Sequence, residues 1–426
     1  MSSKYERRVV DDLLDEFMPE LTAITLEGAK GVGKTATASE RAQVVYSLQN
    51  PDQRRTLAAD PDLINDGPFP VLIDEWQLYP PIWDIVKMSV DQDPSGGRFL
   101  LTGSADVPPG TRIHSGAGRI DKFTLRPMSL MERGFEQPTV SLGKLLRGEP
   151  QKVRGTTGHR LRNYVDEIYR SGFPGIRNLS PKGRRQRLET YVDRIAEKDI
   201  PENGGYVREP ESLRAWLNAY SAATSTDAAY ETILDAATPG LANKPSKITS
   251  MRYRDTLTRL FILDPIPAWM PSLAPLNTLT KAPTHHMVDP ALAAHLVGIG
   301  PDGLLRGERS ALSPDGETWL GSLFESLAAQ SVRVYAQANE AKVRHLRTKG
   351  GRQEIDLIVE DWERNTAAIE IKLAGAARNE HVKHLNWLQE KVNDNRRLTR
   401  IVITSGQQAY QRADGTAVVP LALLGP

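Results

Sequence analysis

The 426-residue chain contains no cysteine, so disulfide bonds and thiolate-ligated metal sites are excluded. It also lacks any apolar run approaching the roughly 20 residues that a membrane-spanning helix needs. The start of the chain mixes charges of both signs and has no apolar core, which argues against a signal peptide. The formal net charge is only +1, so any attraction to nucleic acid has to come from local patches. We therefore expect a cytoplasmic protein without a membrane partner.

A glycine-rich segment near the amino terminus carries the strongest chemical signal. Its sequence, GAKGVGKT at positions 28–35, fits the phosphate-binding pattern G-x-x-x-x-G-K-[ST]. A strand-like segment precedes it and a helical pattern follows, an order that places backbone N–H groups around a phosphate. Lys34 is then expected to reach the β- and γ-phosphates, and Thr35 to hold Mg²⁺. The residues predicted to contact ATP here are Gly28, Ala29, Lys30, Gly31, Val32, Gly33, Lys34, Thr35 and Ala36.

Two further strand-like segments end in residues suited to phosphate chemistry. The run FPVLIDE at 69–75 ends in Asp74, which can reach the Mg²⁺ held by Thr35, and in Glu75, which can polarise the attacking water. The alternative is a strand that happens to end in a charged turn. The run RFLLTGS at 98–104 places the hydroxyls of Thr102 and Ser104 where they could contact the γ-phosphate. A plain strand-to-helix turn uses the same residue types.

Arg119, which follows two glycines at 116 and 118, is the candidate arginine finger. Such a residue stabilises the charge that develops on the transferred phosphoryl group. A surface arginine or a salt-bridge partner would look the same in sequence. The sequence leaves open whether Arg119 acts within its own subunit or on a neighbour. By analogy with ATPases that place an arginine across a subunit interface, we expect a homo-oligomer.

The patterns divide the chain into three predicted domains. Residues 1–135 alternate strand and helix, which predicts a P-loop ATPase domain with a parallel sheet and helices on both faces. Residues 155–310 are mainly helical, and a helix pair followed by a hairpin predicts a winged-helix-like domain. Its candidate recognition helix lies at 247–254, with a structural or partner-binding role as the alternative. A basic run at 177–187 either follows phosphates or forms a solvated helix face.

The third domain, residues 316–426, is predicted to be an α/β domain that resembles the PD-(D/E)xK nuclease core. A helix at 318–330 presents Glu325, strands are expected at 332–335 and 342–346, and two further strands follow. Asp356 lies on the first of these two strands, and the motif Glu370-Ile371-Lys372 on the second. Side chains alternate along a strand, so Glu370 and Lys372 share a face.

This pattern suggests metal-dependent phosphodiester chemistry. Asp356 and Glu370 could share a Mg²⁺ ion that activates water, and Glu325 could add a ligand or orient that water. Lys372 could stabilise the charge of the phosphorane. One alternative is an amphipathic hairpin with its charges in solvent, and another is a nuclease-like fold that grips nucleic acid without cleaving it. Five nearby bases suit a phosphate backbone: Lys342, Arg344, Arg347, Lys349 and Arg352.

The order of motifs along nearly the whole chain resembles a known family. After Tyr5, Arg8 and the GAKGVGKT loop come LIDEWQLYP (72–80), LLTGS (100–104), GRI (118–120), LRPMSLME (125–132), SGFPG (171–175) and FILDPIPAW (261–269). This series is similar to bacterial and archaeal AAA+-class ATPases that carry a DUF4143 C-terminal region. Members often have Pro-Arg-Gln inside the loop, where this chain has Ala29-Lys30-Gly31. The resemblance implies the fold, ATP and Mg²⁺ more firmly than it implies a task.

Two functions of different classes fit these features. In the first, the chain is an ATPase whose nucleotide state controls a DNA-binding or other nucleic-acid-binding, nuclease-like domain. In the second, it is an ATP-gated switch for a protein partner, and the third domain is a non-catalytic scaffold. Neutralising the basic residues would abolish DNA binding in the first case and leave the activity intact in the second.

Overall fold

The computed structural model describes residues 5–103, 115–202, 207, 209–237, 246–270, 282–307, 319–392 and 397–426. The first domain comprises the elements α1 (Val9–Phe17), β1 (Ala23–Glu27), α2 (Lys34–Ser39), β2 (Val44–Ser47), α3 (Pro51–Ala59), β3 (Val71–Asp74), α4 (Pro81–Gln92), β4 (Phe99–Gly103) and β5 (Ile120–Thr124). Its five strands are all parallel, in the order β2-β3-β4-β1-β5. The parallel-sheet core predicted for this domain is thereby confirmed.

Both faces of this sheet are covered, which explains why its central strands are continuous apolar runs. Ile24 and Leu72 belong to the same buried cluster as Leu14 of α1. Ile73 and the other face of the sheet belong to a second cluster, which includes Val86 of α4. Because all strands are parallel, the residues after β1, β3 and β4 meet at one edge of the sheet.

A connecting segment follows the first domain and packs against the far end of the chain. It comprises β6 (Val140–Ser141), α5 (Leu142–Arg147) and β7 (Gly155–Thr156). The middle region contains α6 (Leu161–Arg170), α7 (Pro174–Arg177), α8 (Pro181–Arg194), α9 (Ile200–Glu202), α10 (Pro210–Ala222), α11 (Tyr230–Ala237), α12 (Lys247–Arg259), α13 (Pro290–Val297) and α14 (Pro301–Leu305). The predicted helical character of this region is therefore borne out in the structure.

Extended segments follow α12 and also lie between α10 and α11. Leu263 and Ile266, which follow α12, form antiparallel bridges to Met287 and Thr284. On the other side, the His285 N–H donates to the carbonyl of Thr226, which lies between α10 and α11, at 2.8 Å. Within the described part of the middle domain, the helices α10, α11 and α12 are thus followed by a small antiparallel ribbon.

The last domain comprises α15 (Trp319–Gln337), β8 (Lys342–Arg347), β9 (Glu354–Glu360), β10 (Thr366–Lys372), α16 (Lys383–Lys391), β11 (Leu398–Thr404), β12 (Gln408–Gln411), β13 (Ala417–Pro420) and β14 (Leu424–Gly425). The order of its seven-stranded sheet is β7-β12-β13-β11-β10-β9-β8, so β7 joins it from the connecting segment. β8 to β10 are antiparallel neighbours, and β10 runs parallel to β11. β14 pairs with β6.

One element of this domain was predicted wrongly. The run at 332–335 was expected to be a strand, but α15 continues without interruption to Gln337. Val332, Tyr335 and Ala336 are buried together with Ala328, which is a helical spacing. A short apolar run is compatible with either structure, and here the buried stripe of the longer helix decides it. No helix in the described ranges is long and apolar enough to cross a membrane.

Candidate functional site

The glycine-rich loop leaves β1 and enters α2 through backbone conformations that favour glycine. Gly33 has φ +105°, in the left-handed region, and α2 begins at the next residue. Gly28 packs so closely on the strand-β5 side that a Cβ atom there would lie 2.2 Å from the Leu125 carbonyl oxygen. A side chain at either position would therefore disturb the loop. This glycine cradle fits a phosphate group.

Lys34 is buried at the centre of the loop and bonds to the loop's own backbone. Its Nζ donates to the carbonyl oxygens of Gly28 at 2.8 Å and Ala29 at 2.9 Å. Burial lowers the pKa of Lys34 to about 8, against the partial opposition of Glu75 and Asp74. An ammonium group held only by neutral carbonyls in a buried site gains from an anionic partner. The loop thus presents a buried cation that suits an anionic ligand.

Thr35, Asp74 and Thr102 come together where β1, β3 and β4 end. The hydroxyls of Thr35 and Thr102 each donate to Asp74 Oδ1 at 2.6 Å. Because β4 lies between β1 and β3, its Thr102 reaches the same carboxylate as the loop threonine. The hydroxyl of Thr35 and the carboxylate of Asp74 are oxygen ligands of the kind Mg²⁺ prefers. Ser104, the other hydroxyl predicted to join this site, lies outside the described residues.

Glu75 follows Asp74 with a backbone conformation that is uncommon for its residue type. Its φ is +55°, and the amide Nε2 of Gln77 donates a hydrogen bond to its carboxylate. The charge of Glu75 acts on the pKa of both Lys30 and Lys34, which places the carboxylate beside the loop. The structure therefore brings Lys34, Thr35, Asp74 and Glu75 to one edge of the sheet.

A cavity of about 440 Å³ adjoins the loop, and the sequence reasoning did not foresee it as part of the site. Ala36 and Thr37 of α2 line it on one side, and Tyr5 of the amino-terminal segment lines another. Pro174 and Gly175 close it from the middle domain. The Tyr5 hydroxyl donates to Asp11 Oδ2 at 2.6 Å and lies 3.0 Å from Thr37 Oγ1. Tyr5 and the 171–175 segment were noted only as motifs of the resembling family.

Lys30, inside the loop, contacts the middle domain. Its Nζ lies 2.5 Å from Asp199 Oδ1 and 3.5 Å from Glu202 Oε2. The Tyr191 hydroxyl donates to the Lys30 carbonyl at 3.2 Å. The side chain and the backbone of residue 30 are thus both tied to the helical domain.

Arg119 does not belong to the nucleotide site of its own chain. It directly precedes β5, so it lies at the amino-terminal edge of the sheet, opposite the edge that carries the glycine-rich loop. Its Nε donates to Asp91 Oδ1 at 2.9 Å. The structure thereby removes the possibility that Arg119 acts within its own subunit. A role in the site of a neighbouring copy stays a prediction.

Asp356, Glu370 and Lys372 form a second cluster, in the last domain. Lys372 Nζ lies 2.9 Å from Glu370 Oε2 and 3.6 Å from Asp356 Oδ2. Asp356 Oδ2 also accepts the Ile371 backbone N–H at 2.6 Å. Burial, reinforced by the charge of Asp356, raises the pKa of Glu370 well above its usual value. The predicted proximity of these three side chains is observed.

Glu325 does not extend this cluster into a three-acid metal site. It lies on α15, and the described residues contain no group of three acidic or histidine side chains placed to hold one metal ion. The ammonium group of Lys372 already lies within ion-pair distance of both the Glu370 and the Asp356 carboxylates. The expectation that Glu325 adds a metal ligand is therefore not supported by the geometry.

The basic residues predicted to follow phosphates are not all available for that role. Arg347 pairs with Asp227 at 2.7 Å and with Glu354 at 3.3 Å. Arg177, at the start of the other basic run, is buried and donates to the Ser171 carbonyl at 2.9 Å. Both arginines are therefore engaged in contacts within the fold, and the Asp227 partner of Arg347 lies 120 residues away in the sequence.

Buried charges connect the loop to the other two domains. Arg8 donates to the carbonyl of Val32 in the loop at 3.1 Å and to the carbonyl of Arg126 at 2.8 Å. The Arg126 side chain in turn donates to Asp264 Oδ2 at 2.8 Å, and Arg333 of α15 lies 2.7 Å from Asp264 Oδ1. Asp264 is therefore shared by an arginine of the first domain and an arginine of the last.

Comparison with known families finds a matching family model for each of three regions of the chain. Residues 21–133 match the model of an AAA domain, and residues 320–424 match a domain of unknown function, DUF4143. Residues 161–303 match another domain of unknown function, DUF8612. The chain therefore combines an amino-terminal AAA domain of the P-loop ATPase type with a DUF4143 C-terminal region, and the resemblance noted from its motifs is confirmed.

The similar individual proteins have names that state no function. Uncharacterized protein Mb2031c of Mycobacterium bovis and uncharacterized protein Rv2008c of Mycobacterium tuberculosis are each 24% identical over 334 residues. The match covers 76% of this chain and 66% of each relative, so the chain spans about two thirds of their length. Among solved structures, protein VC1899 from Vibrio cholerae covers 94% of both chains at 10% identity, with a TM-score of 0.19. A score that low carries no information on the fold.

Proposed function

We propose that the protein is a Mg²⁺-dependent ATPase whose nucleotide state controls a nucleic-acid-binding, nuclease-like C-terminal domain. One observation carries the ATPase part: Lys34, Thr35 and Asp74 converge at the edge of a parallel sheet, with Glu75 beside them. The glycine cradle, the buried ammonium group and the paired oxygen ligands suit a triphosphate with its metal ion.

Each of these residues has a role that follows from its contacts. Lys34 exchanges the carbonyls of Gly28 and Ala29 for phosphate oxygens. Thr35 and Asp74 hold Mg²⁺, which supplies positive charge against the phosphates. Thr102 keeps Asp74 oriented, and Glu75 orients the attacking water. In these assignments the protein positions charges and a water molecule, which is the main work of phosphoryl transfer.

The 440 Å³ cavity is the proposed subsite for the base and ribose. It adjoins Ala36 and Thr37 at the start of α2, directly beyond the phosphate loop. Its walls come from the amino-terminal segment and from the middle domain, at Pro174 and Gly175. A nucleotide in this position would contact two domains at once, which supports control of domain arrangement by nucleotide binding.

ATP binding is linked to the protonation of Lys34, and this linkage gives a test of the contact between Lys34 and the phosphates. Because burial lowers the pKa of free Lys34 to about 8, and a phosphate partner raises it, binding favours the protonated form. The affinity for ATP is therefore highest below pH 8 and falls by about tenfold at pH 9, where most of the free lysine is neutral. Isothermal titration calorimetry between pH 7 and 9 measures this. Lys34→Arg, which stays charged, should show no such fall, and a wild-type affinity independent of pH would contradict the assignment.

The nuclease-like part of the proposal is supported by topology and by the Asp356 cluster. The order α15-β8-β9-β10, with Asp356 on β9 and Glu370 and Lys372 on β10, supports the PD-(D/E)xK interpretation. In the middle domain, the order of three helices and a ribbon supports the winged-helix interpretation, with α12 as its third helix. Both domain types occur in proteins that bind nucleic acid.

A second candidate function is favoured by the state of Glu370. Its Oε1 is buried without a hydrogen-bond partner among the described residues, and burial, reinforced by the charge of Asp356, raises the pKa of Glu370 and so favours its neutral form. A neutral carboxyl is a poor magnesium ligand. This observation favours an ATP-gated switch for a protein partner, with the last domain as a non-catalytic scaffold.

The two functions are separated by assaying ATP turnover and DNA cleavage together. In the proposed function, duplex or single-stranded DNA stimulates the steady-state ATP turnover of the wild type, and Mg²⁺-dependent cleavage of labelled DNA is detected. Lys372→Ala should lower that cleavage by about 100-fold, because the cation that offsets phosphorane charge is lost, while ATP turnover stays unchanged. The exposed Lys391→Ala is the matched control. ATP turnover indifferent to DNA, together with no cleavage by the wild type, would favour the protein-partner switch.

A further inference from the structure

The ion pair between Lys30 and Asp199 joins the phosphate loop to the middle domain in a way that the proposed catalytic roles do not use. Asp199 is largely buried, with its side chain 10% exposed, whereas the Lys30 side chain is 40% exposed. Glu202, one helical turn further on, is half exposed and adds a second carboxylate. A loop that must receive several phosphate charges is thus already occupied by two carboxylates from another domain.

The helix that supplies Asp199 changes geometry just before it reaches the loop. α8 ends at Arg194 and continues as a π-helical turn over Ile195–Asp199, followed by α9. A π-helical turn accommodates an extra residue, which rotates the following residues by about 100° relative to an uninterrupted α-helix. Asp199 is the last residue of that turn. Because of this irregular turn, the carboxylate of Asp199 faces Lys30 in place of a neighbouring residue of the helix.

Lys30 also lies near the catalytic carboxylate. Glu75 contributes to the electrostatic environment of Lys30 together with Asp199 and Glu202. Lys30 is thus a loop cation that contacts two carboxylates of the middle domain and also interacts with the charge of Glu75. A lysine in a phosphate loop is within reach of phosphate oxygens, to which an ammonium group bonds strongly.

We infer that Asp199, assisted by Glu202, is a positioning residue that holds Lys30 in the nucleotide-free protein and yields it to the phosphates when ATP binds. This inference rests on the proposed ATP site at the loop. When the Lys30 ammonium group turns toward the phosphates, it gives up its 2.5 Å contact to Asp199. Nucleotide binding therefore removes a contact that ties the loop to the π-helical turn, and the middle domain responds to the presence of the triphosphate.

Removing the competing carboxylates tests this inference. In the variant Asp199→Asn/Glu202→Gln, Lys30 is released in advance, so a non-hydrolysable ATP analogue should bind roughly tenfold more tightly than to the wild type. Glu197→Gln removes one exposed carboxylate from the same helical turn and should leave the affinity unchanged. In a Lys30→Met background the gain from the double substitution should disappear, because the lysine through which it acts is absent. A merely structural role for Asp199 would not depend on Lys30 in this way.

Hydrogen exchange gives a readout independent of affinity. Amides of residues 195–202 should exchange faster in the wild type when the analogue is bound, and equally fast with and without it in the double variant. Equal affinity of the wild type and the double variant, or exchange in 195–202 that is unaffected by the analogue, would overturn the inference while leaving ATP binding intact. A wild type that does not bind the analogue at all would overturn both the inference and the proposed function.

Discussion

Glu75→Gln is expected to lower ATP turnover by about 100- to 1,000-fold while the affinity for ATP stays close to that of the wild type. The substitution keeps the shape of the side chain but removes the negative charge that orients and polarises the attacking water. In the proposed roles Lys34 holds the phosphates, and Thr35 and Asp74 hold the metal ion, so nucleotide binding does not require the charge of Glu75. Steady-state turnover and equilibrium binding of a labelled nucleotide measure the two quantities separately.

Substitutions of a distant carboxylate and of Lys34 are the controls for this result. Glu16→Gln removes an equivalent charge from the exposed face of α1 and should leave turnover unchanged. Lys34→Ala should instead abolish binding, because its loss removes the cation buried in the loop. If Glu75→Gln weakened binding and turnover in parallel, Glu75 would be a binding residue and not the residue that activates water.

The residues of the proposed nucleotide site could be recognised in the sequence because they belong to short contiguous motifs. The loop needs glycine where the backbone turns and approaches Leu125, and the apolar run before Asp74 needs no distant partner to be recognised. The order of the strands was not predicted. It is the insertion of β4 between β1 and β3 that brings Thr102 to Asp74, and this pairing depends on contacts between elements far apart in the chain.

Features that depend on tertiary contacts were missed for the same reason. Nothing in the sequence shows that Arg347 pairs with Asp227, 120 residues away, and so has a structural partner. Likewise, the position of Arg119 relative to the loop follows only from the direction of β5. The alternation of Glu370 and Lys372 along a strand was predictable, but the burial that raises the pKa of Glu370 comes from the surrounding domain. The residue types and their spacing along the strand were therefore predictable, whereas the pKa shifts that burial produces were not.

The shared carboxylate of Asp264 is expected to matter for stability far more than an ordinary surface ion pair. Burial alone would raise the pKa of Asp264, but Arg126 and Arg333 outweigh it and hold the pKa below the usual value. The side chains of these three residues are only 14–17% exposed. Asp264→Asn removes the negative charge that two largely buried guanidinium groups share, which should lower the free energy of unfolding by about 3 kcal/mol. Urea unfolding followed by circular dichroism measures the change.

An exposed ion pair of the same chemical type provides the control. Asp302 pairs with Arg162, and both side chains are more than half exposed, so Asp302→Asn should leave the unfolding midpoint unchanged. Equal effects of the two substitutions would show that Asp264 contributes no more than a surface residue. Because the pKa of Asp264 is lowered in the fold, its contribution is present above about pH 4 and is lost as the pH falls further. The difference between wild type and Asp264→Asn should therefore shrink in acid, which is the behaviour of a charge that holds the first and last domains against the middle one.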